Sequence, residues 1–217
     1  MNKRVAVILS GCGVFDGSEI HESVITLLKI NQNGAEYQCF APDIPQHNVI
    51  NHATGEEMPE SRSVLVEAAR LARGHIRNLA ECQAADYDAL IIPGGFGAAR
   101  TLSDFALTGA DMTIQADVLK TVQAFAKTGK PVGLICIAPA MAGKLFGNGV
   151  RCTIGNDSET ARTIQKTGAT HVDCPVNDIV VDEKHRLVTT PAYMLANSIS
   201  EAATGINRLV DKVLEMA

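Results

Sequence analysis

The sequence predicts a three-layer α/β fold, with a doubly wound, mainly parallel sheet covered by helices. Three observations point there. Apolar runs of strand length alternate with stretches of helical periodicity along the whole chain. Eighteen glycines and 4% aromatics suit a parallel sheet made of short Val/Ile/Leu runs. A hydrophobic content of 46% over 217 residues is enough for one large core, so the expectation is a single domain spanning 1–217.

Residues 4–10 read as the first strand, and 21–32 as an amphipathic helix with Val24, Leu27 and Leu28 at helical spacing, closed near Gly34. Residues 36–41 form the second strand. The polar, turn-rich stretch from Pro42 to Pro59 reads as an excursion with hairpin character. Ser61 is the expected cap of a helix over 63–73. A strand over 87–92 ends in Pro93-Gly94-Gly95. Helices follow over 98–107 and 115–128, separated by an insertion at 108–114. Val132 to Ile135 is a buried-strand run ending in Cys136. Beyond Gly149 the pattern predicts a strand at 150–154, a helix at 158–167, strands near 171–174, 178–182 and 186–190, and a closing helix over 195–215. The crossovers are long enough for parallel connections.

Net charge is −5 with no basic run, which excludes a nucleic-acid footprint and a polybasic membrane patch. No stretch approaches membrane-spanning length. The start, Met1-Asn2-Lys3-Arg4 before five apolar residues, superficially resembles a secretion signal but is better read as a first strand. A soluble cytoplasmic protein is expected. The cysteines at 12, 39, 82, 136, 152 and 174 show no C-x-x-C pair and no histidine at zinc spacing, so neither a metal nor a disulfide framework is expected.

Function in open α/β sheets collects at the carboxyl ends of the strands, and three such ends are chemically unusual. At Cys136-Ile137-Ala138-Pro139 a strand turns sharply toward a helix. Such an elbow throws its junction side chain out at the sheet edge, and a helix N-terminus there lowers a thiol's pKa. The same segment also fits a core cysteine at a strand end, and these residues alone do not separate the two readings. The loop Gly11-x-Gly13-x-x-x-Gly17 lacks dinucleotide spacing, and Asp16, Glu19 and Glu22 would repel a pyrophosphate. Carboxylates beside a thiol suit acid/base work, although ordinary N-terminal helix acids look the same in sequence. Glu19 and Glu22 are three apart, so one of them points over the sheet edge. Pro93-Gly94-Gly95 frees backbone N–H groups to face a ligand oxygen, or is a simple turn.

Together, the Pro-Gly-Gly strand end, the Gly-Leu-Ile-Cys136 elbow and the helix start Gly17-Ser-Glu-Ile-His-Glu22-Ser-Val resemble the superfamily of the PfpI intracellular protease and the Parkinson-disease-associated deglycase. That superfamily has the flavodoxin-like, class I glutamine amidotransferase-like fold. The resemblance runs from residue 4 to about 215. It implies Cys136 as nucleophile, Glu22 as the acid that hydrogen-bonds it, and Gly95 and Ile137 as the amides of an oxyanion hole. Several departures matter. Ile137 stands where the proteases have a histidine, the tail Thr189-Thr190-Pro191-Ala192-Tyr193 lacks the amidotransferase His-x-Glu pair, and Thr153-Ile154-Gly155-Asn156 lacks the deglycase histidine. Asn156 is the polar substitute the sequence offers.

These departures disfavour peptidase and glutaminase chemistry. The resemblance implies a cofactor-independent, glutathione-independent glyoxalase acting on small 2-oxoaldehydes, with apparent protein-deglycase activity from the same carbonyl chemistry. The competing class is a regulatory protein with an oxidisable Cys136, linked through the resemblance to isoprenoid biosynthesis. A homodimer is also implied. Val49-Ile50 and Met112-Thr113-Ile114 are apolar groups without an evident core, read as a partner-facing patch or lid, or as self-packed loops.

Overall fold

The computed structural model describes residues 2–217. Strand β1 (Arg4–Ile8) leads into helix α1 (Ile20–Gln32), and β2 (Glu36–Ala41) into α2 (Val64–Leu71). Then come β3 (Ile76–Asn78), β4 (Ala89–Ile92), the short α3 (Phe96–Arg100) and α4 (Phe105–Thr108), and α5 (Ala116–Lys127). Strand β5 (Val132–Ile135) is followed by a 3₁₀ turn over Ala138–Met141 and by α6 (Ala142–Phe146). The remainder is β6 (Arg151–Cys152), α7 (Ser158–Lys166), β7 (Thr170–His171), β8 (Val180–Asp182), β9 (Leu187–Thr190) and α8 (Ile199–Met216).

Seven strands form one sheet in the order β3-β2-β1-β4-β5-β9-β8. All its pairs are parallel except β8 against β9. The doubly wound sheet and its three layers are as the alternation predicts. Side-chain alternation splits the interior in two. Val5, Val7, Cys39, Ala89 and Ile91 face α1, α2 and α8, where Leu27, Val64, Ile206 and Val210 meet them. Ala6, Ile8, Leu90, Ile92 and Leu134 face the other layer, where Val118, Val122 and Phe125 of α5 cover them. Gly133 on β5 lets α8 pack closely, since a Cβ there would lie 2.8 Å from the Leu209 side chain.

Several boundaries move. Ser63, not Ser61, caps α2 by accepting the Val66 N–H. The helix expected over 98–107 divides into α3 and α4, because Ser103 instead bridges to Ile114 and its hydroxyl turns back to the Ala98 carbonyl. Edge strand β3 has only three residues, too few to show a period. The strand expected at 150–154 keeps two residues, paired with β7 outside the main sheet, since the Thr153 N–H goes to Thr189 Oγ1. The closing helix starts at Ile199, with Ser198 as its cap.

The excursion after β2 does fold back on itself, with Ile50 bridging Glu57. The apolar groups of this excursion and of the 108–114 insertion are not spare: Val49 and Met112 are buried, and Ile114 packs against the α5-side core. The patch expectation is corrected accordingly. The exposed apolar stripe lies on α1, at Ile20, Val24 and Leu28. The inward face of α1 is Glu22, Ser23, Thr26, Leu27 and Ile30.

Candidate active site

The carboxyl ends of β1, β4, β5 and β9 converge on one thiol. Cys136 comes directly after β5 and takes a left-handed backbone, φ +64°, which is strained for a residue with a side chain. Its backbone N–H is anchored to the Thr190 carbonyl at 3.0 Å, tying the elbow to β9. The side chain is buried, and Sγ meets the backbone N–H groups of Gly95 and Ile137 and the carboxyl of Glu22.

Glu22 reaches this point because Glu19 does something else. Glu19 is the cap of α1, its Oε2 accepting the Glu22 N–H at 2.7 Å. That sends Glu22, one turn inward, under the sheet edge, where it is fully buried. Its Oε2 accepts the Gly94 N–H at 2.9 Å and its Oε1 the Tyr193 N–H at 3.3 Å. The two glycines after β4 are there for clearance. A Cβ on Gly94 would sit 2.4 Å from Cys136 Cβ, and one on Gly95, at φ +94°, would sit 2.3 Å from the Gly17 carbonyl oxygen.

Electrostatics reverse one expectation. Burial, and next the charge of Glu19, push the Glu22 carboxyl up to about 7. Burial and the neighbouring Glu22 carboxylate push the Cys136 thiol well above its ordinary range. The elbow leads only into a four-residue 3₁₀ turn and then a five-residue helix. Their positive end and the two amides do not offset burial. The resting sulfur is therefore a thiol beside a carboxyl group that ionises as pH rises through about 7.

Thus Cys136, Glu22, Gly95 and Ile137 are brought together. Asn156 is exposed on the loop after β6. Sequence reasoning passed over Tyr193, whose backbone completes the Glu22 site and whose hydroxyl lies 2.7 Å from Nδ1 of His21. The signal was its place just beyond β9, a fourth strand end. Among the described residues no group of three His, Cys, Asp or Glu side chains is placed to hold a metal ion.

Residues 3–196 match the DJ-1/PfpI family. The chain belongs to that family. A human relative, glutamine amidotransferase-like class 1 domain-containing protein 3, mitochondrial, is 46% identical over 98% of this chain and 83% of its own length. A crystal structure from Ehrlichia chaffeensis, described as an isoprenoid biosynthesis protein with amidotransferase-like domain, is 35% identical. It superposes with a TM-score of 0.93 over 99% of both chains. Glyoxalase III from Candida albicans, at 15% identity, shares the DJ-1/PfpI fold with a TM-score of 0.62 over 99% of this chain and 97% of its own.

The human relative corrects the cytoplasmic expectation. A DJ-1/PfpI protein this similar along nearly the whole chain is mitochondrial by name. Charge and composition therefore do not assign a compartment. No described helix is long and apolar enough to cross a membrane.

Proposed function

We propose that this DJ-1/PfpI chain, one domain over 1–217, is a glutathione-independent glyoxalase. It would convert small 2-oxoaldehydes such as glyoxal and methylglyoxal to hydroxy acids. The observation that carries the reading is the buried Cys136–Glu22 hydrogen bond beneath two backbone N–H groups. Thiol and carboxylate together hold one movable proton, and the amides of Gly95 and Ile137 are donors ready for an oxyanion.

In the proposed reaction Glu22 takes the thiol proton as Sγ adds to the aldehyde carbon, C1, and passes it to the C1 oxygen, which leaves Glu22 free as a base. The product is a hemithioacetal whose oxygen the two amides receive. Glu22 then moves the C1 proton to C2 through an enediol, leaving a thioester on Cys136. Water cleaves the thioester to the hydroxy acid and restores the thiol. No leaving group needs protonation during addition, so the absence of a histidine after Cys136 does not stop the reaction. The Candida albicans glyoxalase III shows that the fold accommodates such an enzyme.

The oxidisable-cysteine reading draws on the same residues. What separates the readings is the pair of backbone N–H groups at the sulfur, which an oxoaldehyde adduct uses and simple oxidation does not require. Apparent deglycase activity, release of a carbonyl adduct from a protein amine, would result from capture of free oxoaldehyde. The link to isoprenoid biosynthesis has its support in the similar Ehrlichia protein.

The deciding experiment measures glycolate or lactate formation from glyoxal or methylglyoxal by metal-free protein, beside Cys136→Ser. Turnover that disappears with the substitution supports the reading. An inactive wild type, or an active Cys136→Ser, removes it.

A homodimer belongs to the same proposal. The outward stripe of α1, with Ile20, Val24 and Leu28 at 42, 48 and 52% exposure, is the face on which a second copy would bury apolar area. Sedimentation equilibrium at micromolar concentration should give a dimer mass that Val24→Asp converts to monomer. A monomeric wild type defeats this part.

A further inference from the structure

The dyad and the two amides account for one proton and one oxygen, whereas an oxoaldehyde has two carbonyl oxygens. Addition of Sγ builds charge on the oxygen of C1. Carrying the proton from C1 to C2 then builds charge on the oxygen of C2, and a second charge centre in a water-poor site needs a second donor.

Tyr193 is the residue that the fold ties to the dyad through its backbone. The turn that carries it is bonded to both members of the dyad. Its own N–H donates to Glu22 Oε1 at 3.3 Å, and three residues earlier the Thr190 carbonyl accepts the Cys136 N–H at 3.0 Å. Between them Ala192 takes φ +43°, a conformation strained for alanine, and Tyr193 comes immediately after it. Tyr193 is half-buried and packs against the same core cluster as Cys136. Its hydroxyl lies 2.7 Å from Nδ1 of His21, the residue beside Glu22 on the first turn of α1, and the two rings are 5.7 Å apart. Burial, and next the charges of Glu19 and Glu22, oppose loss of the phenol proton. A phenol kept protonated beside a carboxylate base is a hydrogen-bond donor for a developing oxyanion.

We propose that Tyr193 Oη–H is the second oxyanion donor of the site, directed at the C2 carbonyl oxygen of the oxoaldehyde, and that His21 Nδ1–H holds the phenol in that position. Tyr193 is then a catalytic residue and His21 a positioning residue; both assignments rest on the glyoxalase reading. Protons balance at each step. Glu22 removes the C1 proton, the electron pair of that bond becomes the C1=C2 bond, and charge forms on the C2 oxygen under the phenol's hydrogen bond. The C1 hydroxyl proton then passes to the C2 oxygen, and Glu22 returns its proton to C2 as the C1 oxygen becomes the thioester carbonyl. The two oxygens lie on one edge of a cis-enediol, within reach of a single hydroxyl.

Two readouts on methylglyoxal separate this role from a structural one. Lactate formation reports the whole reaction. Protection of Cys136 from iodoacetamide by the aldehyde reports addition alone. Tyr193→Phe should lower kcat by about 100-fold, the scale of one lost oxyanion donor, while methylglyoxal still protects Cys136 at wild-type concentrations. His21→Gln, an exposed change that spares the fold, should lower kcat by about tenfold, on the scale of one hydrogen bond, again with protection retained. Tyr193→Phe turnover within about twofold of wild type would overturn the proposal. So would loss of protection together with turnover, which marks a damaged Glu22 site. If Tyr193→Phe does not fold, an unchanged kcat in His21→Gln overturns it equally. An active wild type beside an active Tyr193→Phe defeats this inference alone, whereas an inactive wild type defeats the glyoxalase reading and this inference with it.

Discussion

Cys136 and Cys12 both lie just beyond strands of the same sheet, and both have carboxylates nearby, yet their surroundings differ in kind. Cys12, on the loop after β1, is half-buried, with burial and next the charge of Glu67 raising its thiol, and Asp16 adding less. Those carboxylates are occupied elsewhere. Asp16 accepts the Ile50 N–H at 2.8 Å and thereby ties the excursion down, while Glu67 pairs with Arg70 at 3.0 Å and Arg62 at 3.7 Å. His52, beside Asp16, accepts the Phe15 N–H and serves the same tie. At Cys136 the carboxylate bonds the sulfur itself, and two amides point at it. A thiol near carboxylates is therefore common electrostatics. A thiol bonded to one, at a strained backbone and under two donors, is the arrangement that the proposed chemistry uses.

The largest test of that contrast is direct. Cys136→Ser should lower oxoaldehyde turnover by about four orders of magnitude or more, as loss of a nucleophile does, whereas Cys12→Ser should leave kcat near wild type. Equal losses in a steady-state assay would erase the distinction between the two loops.

Next in size is the pair of acids. Glu22→Gln should cost about 10²–10⁴-fold in kcat, the range of a lost general acid/base. Glu19→Gln should act mainly on stability, by about 1 kcal/mol for a weakened helix cap, read from urea unfolding. Similar kinetic losses in both would assign the effect to general electrostatics.

Glycine clearance gives a third test. Gly94→Ala forces a Cβ to 2.4 Å from Cys136 Cβ, whereas at Gly13 the nearest atom is the movable His52 ring, 2.6 Å away. Both should destabilise by about 1–3 kcal/mol, the usual cost of overpacking. Only Gly94→Ala should lose turnover, and an active Gly94→Ala would show that the elbow has slack the structure does not show.

The smallest effect is in pH. With Glu22 pushed up from 4.5 to about 7, kcat/KM should rise with pH through about 7 as the carboxylate forms. The stability sign is opposite. A carboxyl whose folded pKa is raised binds its proton more tightly when folded. The native state is therefore favoured below 4.5 and loses that contribution as pH rises to about 7. Glu22→Gln should flatten this decline in the urea midpoint across that window. Removing the Glu19 charge should move the activity limb to lower pH.

Sequence alone determined what local rules can reach. Continuous apolar runs marked β1, β4 and β5, because a strand covered on both faces is apolar along its buried length. The Pro-Gly-Gly end and the Cys136 elbow were visible because tight turns at strand ends demand particular residues. Choosing Glu22 over Glu19 took a family resemblance, since helix periodicity places the two acids three apart without saying which way the helix is rolled. Tertiary structure decided the rest. It made Glu19 a cap and Glu22 the partner of the sulfur, and brought Tyr193 and His21 together across 172 positions of chain. It also raised the thiol that an elbow was expected to lower. Each of these depends on burial and on contacts between distant strand ends, and neither quantity has a local signature in the order of residues.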